Sequence, residues 1–457
     1  MNFNRTNRFF KGVILCLAFV LLVSCGSTGN VGGKHLSPAE EFSKTQLSNG
    51  IPVVFKQNRG SKIVVLELVF EGGTSLISND KSGIEALTLD LMLRGSEKYP
   101  YSAIQKLEYE KSFSLNSGSG KDFATAGFIC IQRDLSLVLE LFTDCMMNPA
   151  FSETDFNQKM TEAASSIASK KADPSGALGT AIRKSVFKGH PYESSASITE
   201  DSLANIKFSS VKEFYQNLLN AQRMKIAVVG SFSPELIKDF SAELEKSFGT
   251  IPKKAYSAPK IPKIAIENKA VKIANEQAGD TGYIAGVFPC PSRTDDDYIP
   301  YALATMYLDD MLFSQVREKA GAAYSLGTGV LGGKEFAGVL EVFKATEKKN
   351  LKKLIYDTIL SYDETVIDKK LDQFKNQYIS SIFSSSQTAA GVASNVISSM
   401  EYWGNEKTFL SRADKVQAVS SKQVIAAYKK YLLPVAKENA AQWIIVDGKN
   451  NLAKYDF

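Results

Sequence analysis

The sequence predicts an α+β fold of two homologous α/β domains, each an antiparallel-rich sheet with flanking helices. Three observations predict it. The chain has 457 residues, well beyond one usual domain, so more than one core is expected. Strand-like and helix-like stretches alternate along the first half, and the pattern returns in the second. A helix-plus-strand unit also recurs at one offset. Ile206–Leu219 (I-K-F-S-S-V-K-E-F-Y-Q-N-L-L) lines up with Val419–Leu432 (V-S-S-K-Q-V-I-A-A-Y-K-K-Y-L), pairing Ile206 with Val419, Val211 with Val424, Tyr215 with Tyr428 and Leu219 with Leu432. The strand behind it recurs as well, Ile226–Gly230 against Trp443–Gly448. A shared helix period produces single matches; a helix and a strand in the same order point to duplication.

In chain order, residues 1–24 read as a lipoprotein signal peptide. A basic opening with Arg5, Arg8 and Lys11 precedes an apolar run, Val13–Val23, too short for a helix to cross a bilayer but suited to a signal. The run ends in L-V-S-C, which resembles a bacterial lipobox and makes Cys25 the expected lipidation site. The Gly/Ser-rich residues that follow suit a tether, 25–43. The first domain is expected over 44–252. It opens with Leu47–Lys56 and Ile63–Phe70, β-branched runs punctuated by Asn49-Gly50 and Gly72-Gly73 and read as adjacent strands. Asp122–Ile131 is a further strand, and Met224–Gly230 is a buried strand that closes the half. Residues 253–264, rich in proline and lysine, read as an exposed linker, and 265–457 as the second domain.

Composition excludes some functions. Hydrophobic residues make up 44% and charged residues 23%, as in a folded globular chain. Net charge is +5, and only +2 once Arg5, Arg8 and Lys11 are set aside. That is too weak and dispersed for a nucleic-acid binder. Beyond Cys16 and Cys25, Cys130, Cys145 and Cys290 match no metal-binding spacing. Their apolar neighbours favour buried thiols, although one disulfide is open to an extracytoplasmic chain.

Gly83–Ser96 reads G-I-E-A-L-T-L-D-L-M-L-R-G-S, an amphipathic helix between glycines whose packing face is Ile84, Leu87, Leu91 and Met92. With the duplication and the L-S-N-G-I-P-V-V opening, this segment resembles the first helix of the insulinase-like zinc peptidases, the pitrilysin or mitochondrial-processing-peptidase family. The resemblance covers nearly everything after residue 44. It implies a clam-shell half built from the two domains. In that family two histidines four apart on this helix ligate zinc, and the glutamate between them is the base for a zinc-bound water. Here the ligand positions hold Ala86 and Asp90, and the base position holds Leu89. Where relatives carry a third ligand the chain reads T-E-A-A-S-S-I, with Ser165 and Ser166. Only His35 and His190 exist in the chain, in the tether and in a G-H-P-Y loop. No metal is therefore expected on this chain. A hard cation held by Glu85, Asp90 and Glu162 is the weaker alternative, since helix carboxylates usually lie on solvated faces.

The second half retains its motif. L-F-S-Q-V-R-E-K-A-G-A-A-Y-S, Leu312–Ser325, closely matches the family's arginine-tyrosine segment. The resemblance implies that Arg317 and Tyr324 bind substrate backbone and help stabilise an oxyanion. A structural alternative has Arg317 capping a helix end and Tyr324 packing beside Gly321. Asn116, in S-L-N-S-G-S-G-K-D-F, falls where relatives pair an edge strand with extended substrate, although Gly118 and Gly120 suit a plain hairpin equally. Some bacterial members divide one site between two chains. The inventory here implies the non-catalytic, substrate-contacting subunit of a two-chain metallopeptidase, with zinc on a paralogous H-x-x-E-H partner. The expected partners are that subunit in a heterodimer, a peptide substrate and, through Cys25, a membrane. The expected location is the bacterial cell envelope, lipid-anchored on the periplasmic side. The alternative is a structural or peptide-binding pseudopeptidase with no role in catalysis.

Overall fold

Two mixed sheets carry the architecture of the computed structural model, which describes residues 41–457. The expected signal peptide, Cys25, His35 and most of the tether lie outside the described residues. The first sheet contains β1 (Phe42–Gln46), β2 (Pro52–Gln57), β3 (Ile63–Glu71), β4 (Ser114–Ser119), β5 (Phe123–Ile131) and β6 (Met224–Gly230), in the order β1-β2-β6-β3-β5-β4. The second contains β7 (Ala270–Ala274), β8 (Gly282–Pro289), β9 (Ala323–Gly332), β10 (Phe336–Ala345) and β11 (Gln442–Asp447), in the order β7-β11-β8-β10-β9.

Leaving out β1, the second sheet repeats the first strand for strand. β2 runs parallel to β6 as β7 does to β11. β3 lies antiparallel between β6 and β5, as β8 lies between β11 and β10. β4 and β9 are the corresponding edges. The repeated helices match too: Phe208–Leu218 corresponds to Ser421–Ala427, with Val211 and Val424 both buried.

One expectation needs correcting. β2 and β3 are not neighbours, because β6 inserts between them. Nearly every residue of Met224–Gly230 is buried, and a strand apolar on both faces gains most from a central place. The short β2–β3 connection therefore spans the end of β6, where Asn58 N–H donates to the Gly230 carbonyl at 2.6 Å.

One face of each sheet is covered by helices of its own half. On the first, Val64, Leu66, Leu68 and Phe70 pack with Leu139, Phe142, Leu244 and Phe248. The opposite face is covered by a helix from the other half. Helix Pro174–Val186, capped by Asp173 accepting from Gly176 N–H, lays Leu178 and Ile182 on Ala285, Val287, Val339, Ile444 and Val446 of the second sheet. Helix Ala389–Trp403, capped by Thr388 and closed by left-handed Gly404, lays Val396, Ile397 and Met400 on Val54, Val69 and Ala227 of the first. Its Ala389 and Ala393 meet Val65 and Val229. Each half thus completes the other's core.

Polar contacts follow the same seam. The Tyr192 hydroxyl donates to Asp122 Oδ1 at 2.5 Å, and Lys334 N–H donates to Asp122 Oδ2 at 2.7 Å. This joins the β4–β5 turn to the β9–β10 turn. Lys225 pairs with Glu401 at 2.7 Å, and His190, in a loop as expected, lies 2.9 Å from the Pro262 carbonyl.

Truncating Leu178 to alanine should remove about 2–5 kcal/mol of stability. Because Leu178 belongs to one half and packs on the other's sheet, guanidinium unfolding of that variant should remain a single transition. Two separated transitions would show that the halves stand alone.

Candidate functional site

The helix expected to carry the degenerate zinc motif spans Ile84–Met92, and its framing glycines have structural reasons. Gly83 adopts φ 88, and a Cβ there would sit 2.3 Å from Ile198 N. Gly95 adopts φ 131, with the Tyr99 carbonyl 2.9 Å from any Cβ. Both turns exclude other residues whether or not metal binds.

The zinc positions themselves do not fit zinc. Leu89, at the base position, is fully buried among core residues that include Met92 and Leu93. Ala86 offers no donor. Asp90 Oδ2 lies 3.1 Å from Lys159 Nζ and 3.4 Å from Arg94 Nε. Its carboxylate is therefore neutralised by two cations that would also repel a metal. Helix Glu153–Ala172 supplies Lys159 but presents Ser165 and Ser166 to solvent. On the same helix Glu162 accepts from Gln158 Nε2 at 2.9 Å and pairs with Lys159, and these contacts hold its pKa below the usual carboxylate range. Among the described residues, no three His, Cys, Asp or Glu side chains are grouped to hold a metal ion. The donor set is a surface ion-pair network.

Glu85 departs from the expectation of a solvated carboxylate. It is 1% exposed, accepts from Ser119 Oγ at 2.6 Å and faces Arg223 at 3.5 Å. Burial pushes its pKa up against these two partners. Arg223 Nε in turn donates to the Glu71 carbonyl at 2.9 Å. Glu85 therefore fastens the helix to edge strand β4 and to the residue leading into β6. It is separated from Asp90 and Glu162 by role as well as by burial.

Asn116 lies in β4, the edge strand of the first sheet. In register, Glu67 of β3 pairs with Gly127 of β5, and Gly127 pairs with Asn116. Gly127 is what lets the outer two meet. A Cβ there would lie 2.6 Å from Glu67 Oε2, so the Glu67 carboxyl reaches across Gly127 toward Asn116, and its buried Oε2 has no hydrogen-bond partner among the described residues. Burial raises the Glu67 pKa to about 8, a shift only partly opposed by Asn116. The sequence holds one signal for this residue: a lone glutamate inside the apolar run I-V-V-L-E-L-V-F.

Arg317 and Tyr324 come together. Helix Tyr298–Leu312 runs on into wider π-type turns over Phe313–Lys319, a local geometry often found at functional sites. The turns end at Gly321, whose φ of 60 admits the reversal and whose N–H donates to the Arg317 carbonyl at 3.0 Å. β9 then starts, placing Tyr324 beside the arginine: Arg317 Cζ is 5.4 Å from the Tyr324 ring centroid and 5.1 Å from that of Phe313. Both side chains are exposed, Tyr324 at 68%. The helix end is capped by backbone, so the Arg317 side chain is not spent on capping. A guanidinium held between two rings and a phenol at a sheet edge can together donate to a carbonyl or an anion. Beneath them Asp309 accepts from Thr328 N–H at 2.7 Å and is raised by burial to about 6, so it fixes β9 much as Glu85 fixes β4.

No disulfide forms among the three remaining cysteines. Cys130 and Cys145 are buried free thiols and Cys290 is half-buried and free, each pushed up to about 12 by burial.

Glu67 makes stability depend on pH. The folded state holds its proton up to about pH 8, whereas the ordinary carboxyl loses it near 4.5. Stability is therefore full below about 4.5 and falls as pH rises toward 8, by on the order of 1 kcal/mol per unit. Glu67→Gln should flatten this fall in denaturation midpoints measured from pH 5 to 8; an unchanged slope would place the titration elsewhere. Leu89→Glu, which would restore the base in name, should cost several kcal/mol by burying an unpaired carboxylate, read as a drop in thermal midpoint.

Residues 52–200 match the model of the insulinase family, peptidase family M16, and residues 205–378 match that of the peptidase M16 inactive domain. An uncharacterized zinc protease, YmxG, of Bacillus subtilis is 21% identical over 82% of this chain and 92% of its own length. A non-peptidase homolog, YmxG, of Helicobacter pylori is 19% identical over 60% of this chain and 64% of its own length. The crystal structure of a peptidase M16 inactive domain from Pseudomonas fluorescens superposes with a TM-score of 0.77 at 20% identity, covering 89% of this chain and 98% of that one. The periplasmic protease PqqL of Escherichia coli gives a TM-score of 0.75 at 13% identity, this chain matching 46% of its length. With a duplicated two-sheet fold and family models matched across both halves, the chain belongs to the insulinase-like peptidase family M16.

Proposed function

We propose that this chain is the non-catalytic, substrate-contacting subunit of a two-chain zinc metallopeptidase acting on peptides. The observation that carries the reading is the contrast between its two half-sites. Arg317 and Tyr324 are stacked and open to solvent, while the zinc positions hold Ala86, core Leu89 and an ion-paired Asp90. A donor pair aimed outward with no hydrolytic centre of its own is useful to a centre on another chain. That partner would carry H-x-x-E-H and its zinc, which supplies the activated water. Arg317 and Tyr324 would orient the peptide and stabilise charge on its carbonyl oxygen. Asn116, on the β4 edge, would contact an extended peptide laid along that strand.

Hydrolysis by this chain alone would lack the group that generates the nucleophile. The relatives described as an inactive domain and a non-peptidase homolog support a non-catalytic member. PqqL, twice this chain's length, supports an arrangement in which two such halves work together. Lipidation at Cys25 and a place on the periplasmic side of a bacterial envelope complete the proposal. They rest on the sequence of the leader and on a periplasmic relative.

Purification from native membranes tests it. A chain bearing H-x-x-E-H should accompany this one, with zinc and peptidase activity in the same fraction. Recovery of no such chain, together with a zinc peptidase fully active without this protein, would end the proposal. In the reconstituted pair, Arg317→Ala and Tyr324→Phe should each lower kcat by about 10²–10³. Unchanged turnover with peptide binding intact would instead favour the structural or peptide-binding pseudopeptidase.

A further inference from the structure

Lys344 is the residue around Tyr324 that the sequence motif does not contain. It sits near the end of β10 between Phe343 and Ala345, which pair with Ser325 and Ala323 of β9. Against β8 the register slips at this point: Phe343 pairs with Tyr283, and Ala345 with the adjacent Gly282. Lys344 is thus the extra residue of a β-bulge. Its φ of 54 is a left-handed conformation that a residue with a Cβ rarely adopts. Bulges of this kind re-aim a side chain and gather at binding sites. Here the result is that the Lys344 ammonium lies 5.6 Å from the Tyr324 ring centroid.

Two cations therefore share one exposed phenol, with Arg317 at 5.4 Å and Lys344 at 5.6 Å. Lys348, a few residues on, reaches buried Asp447 at 3.4 Å. Arg317 and Lys344, by contrast, form no ion pair among the described residues. Repulsion between these like charges is relieved when an anion binds between or beside them, and the left-handed backbone at Lys344 is what brings its ammonium there.

We propose that Lys344 is a third member of the Arg317–Tyr324 site and takes a carboxylate of the peptide beside the carbonyl oxygen that Arg317 and Tyr324 contact. This rests on the reading that Arg317 and Tyr324 contact peptide. The guanidinium fork and the phenol donate to the peptide carbonyl, and the ammonium offers a compact charge to a carboxylate next to it. A chain's terminal carboxylate and an aspartate or glutamate side chain share this chemistry.

The test uses the purified full chain and three fluorescent peptides of one neutral sequence: one with a free terminal carboxylate, one amidated, and one amidated with a single internal glutamate. Anisotropy titration should show an acidic peptide binding more tightly than the neutral amide. Lys344→Met should weaken that acidic peptide roughly three- to fivefold, the scale of one exposed ion pair, and leave the neutral amide unchanged. Lys344→Arg should restore most of the loss, and the difference should shrink in high salt. Which acidic peptide responds assigns the terminal or side-chain source. Equal affinities for the three peptides, an equal loss for acidic and neutral peptides in Lys344→Met, or no binding at all would overturn the proposal. Arg317→Ala separates the two levels. If it weakens binding while Lys344→Met does nothing, only the lysine assignment fails; if it leaves every affinity unchanged, the underlying substrate-contact reading fails as well.

Discussion

The structure depends on an exchange of helices between its halves. Sheets containing strands such as β6 and β11 are apolar on both faces, and the helices of each half cover only one. Helix Pro174–Val186 closes the second sheet and helix Ala389–Trp403 closes the first. Leu178 and Ile182 on the first helix and Val396, Ile397 and Met400 on the second are buried against the opposite half's sheet, so neither sheet is complete without its counterpart. The rigid spacing between the halves, the meeting of the β4–β5 and β9–β10 turns at Asp122, and the positions of edges β4 and β9 all follow from that exchange.

Within this arrangement the first helix is held by apolar packing and buried polar contacts. The helix Ile84–Met92 is held by Leu89 and Met92 in one cluster, by Ile84, Leu87 and Leu91 in another, and by the Glu85 contacts to Ser119 and Arg223. Its hold on the core comes from residues that a metal site does not need, together with a leucine in place of the base. The charge left at Asp90 is absorbed by Lys159 and Arg94. The opposite end of the chain's inventory behaves differently. Arg317 and Tyr324 are exposed and add nothing to a core, and an irregular local geometry surrounds them: π-type turns before, a left-handed Gly321 between, and across from them a bulged Lys344 that is itself left-handed. Strain kept around exposed polar groups is most simply understood as serving binding.

The two halves use one device to hold their edge strands. A carboxylate on the helix behind each edge, buried Glu85 for β4 and half-buried Asp309 for β9, bonds to the strand through Ser119 Oγ and Thr328 N–H. The edges are thereby kept straight and in place while their outer sides stay available. Glu67 differs from these two: burial keeps it protonated near neutral pH, and its carboxyl lies over Gly127 with Oε2 unpartnered among the described residues.

Much of this was legible in the residues. The duplication showed in matched apolar positions from Ile206 to Leu432, and the side chains at Ala86, Leu89, Asp90, Arg317 and Tyr324 could be named from the chain alone. These are local properties: periodicity and side-chain chemistry are written along the chain and survive without knowledge of neighbours. The sequence did not determine that β6 would part β2 from β3, that helices would be exchanged, that Glu85 would be buried, or that Lys344 would reach Tyr324. Each of those depends on which distant surfaces meet, and strand order and register are settled by burial across the whole sheet, not by spacing along it. The sequence by itself determined the duplicated fold and the side chains standing at Ala86, Leu89, Asp90, Arg317 and Tyr324; tertiary packing alone decided what surrounds them.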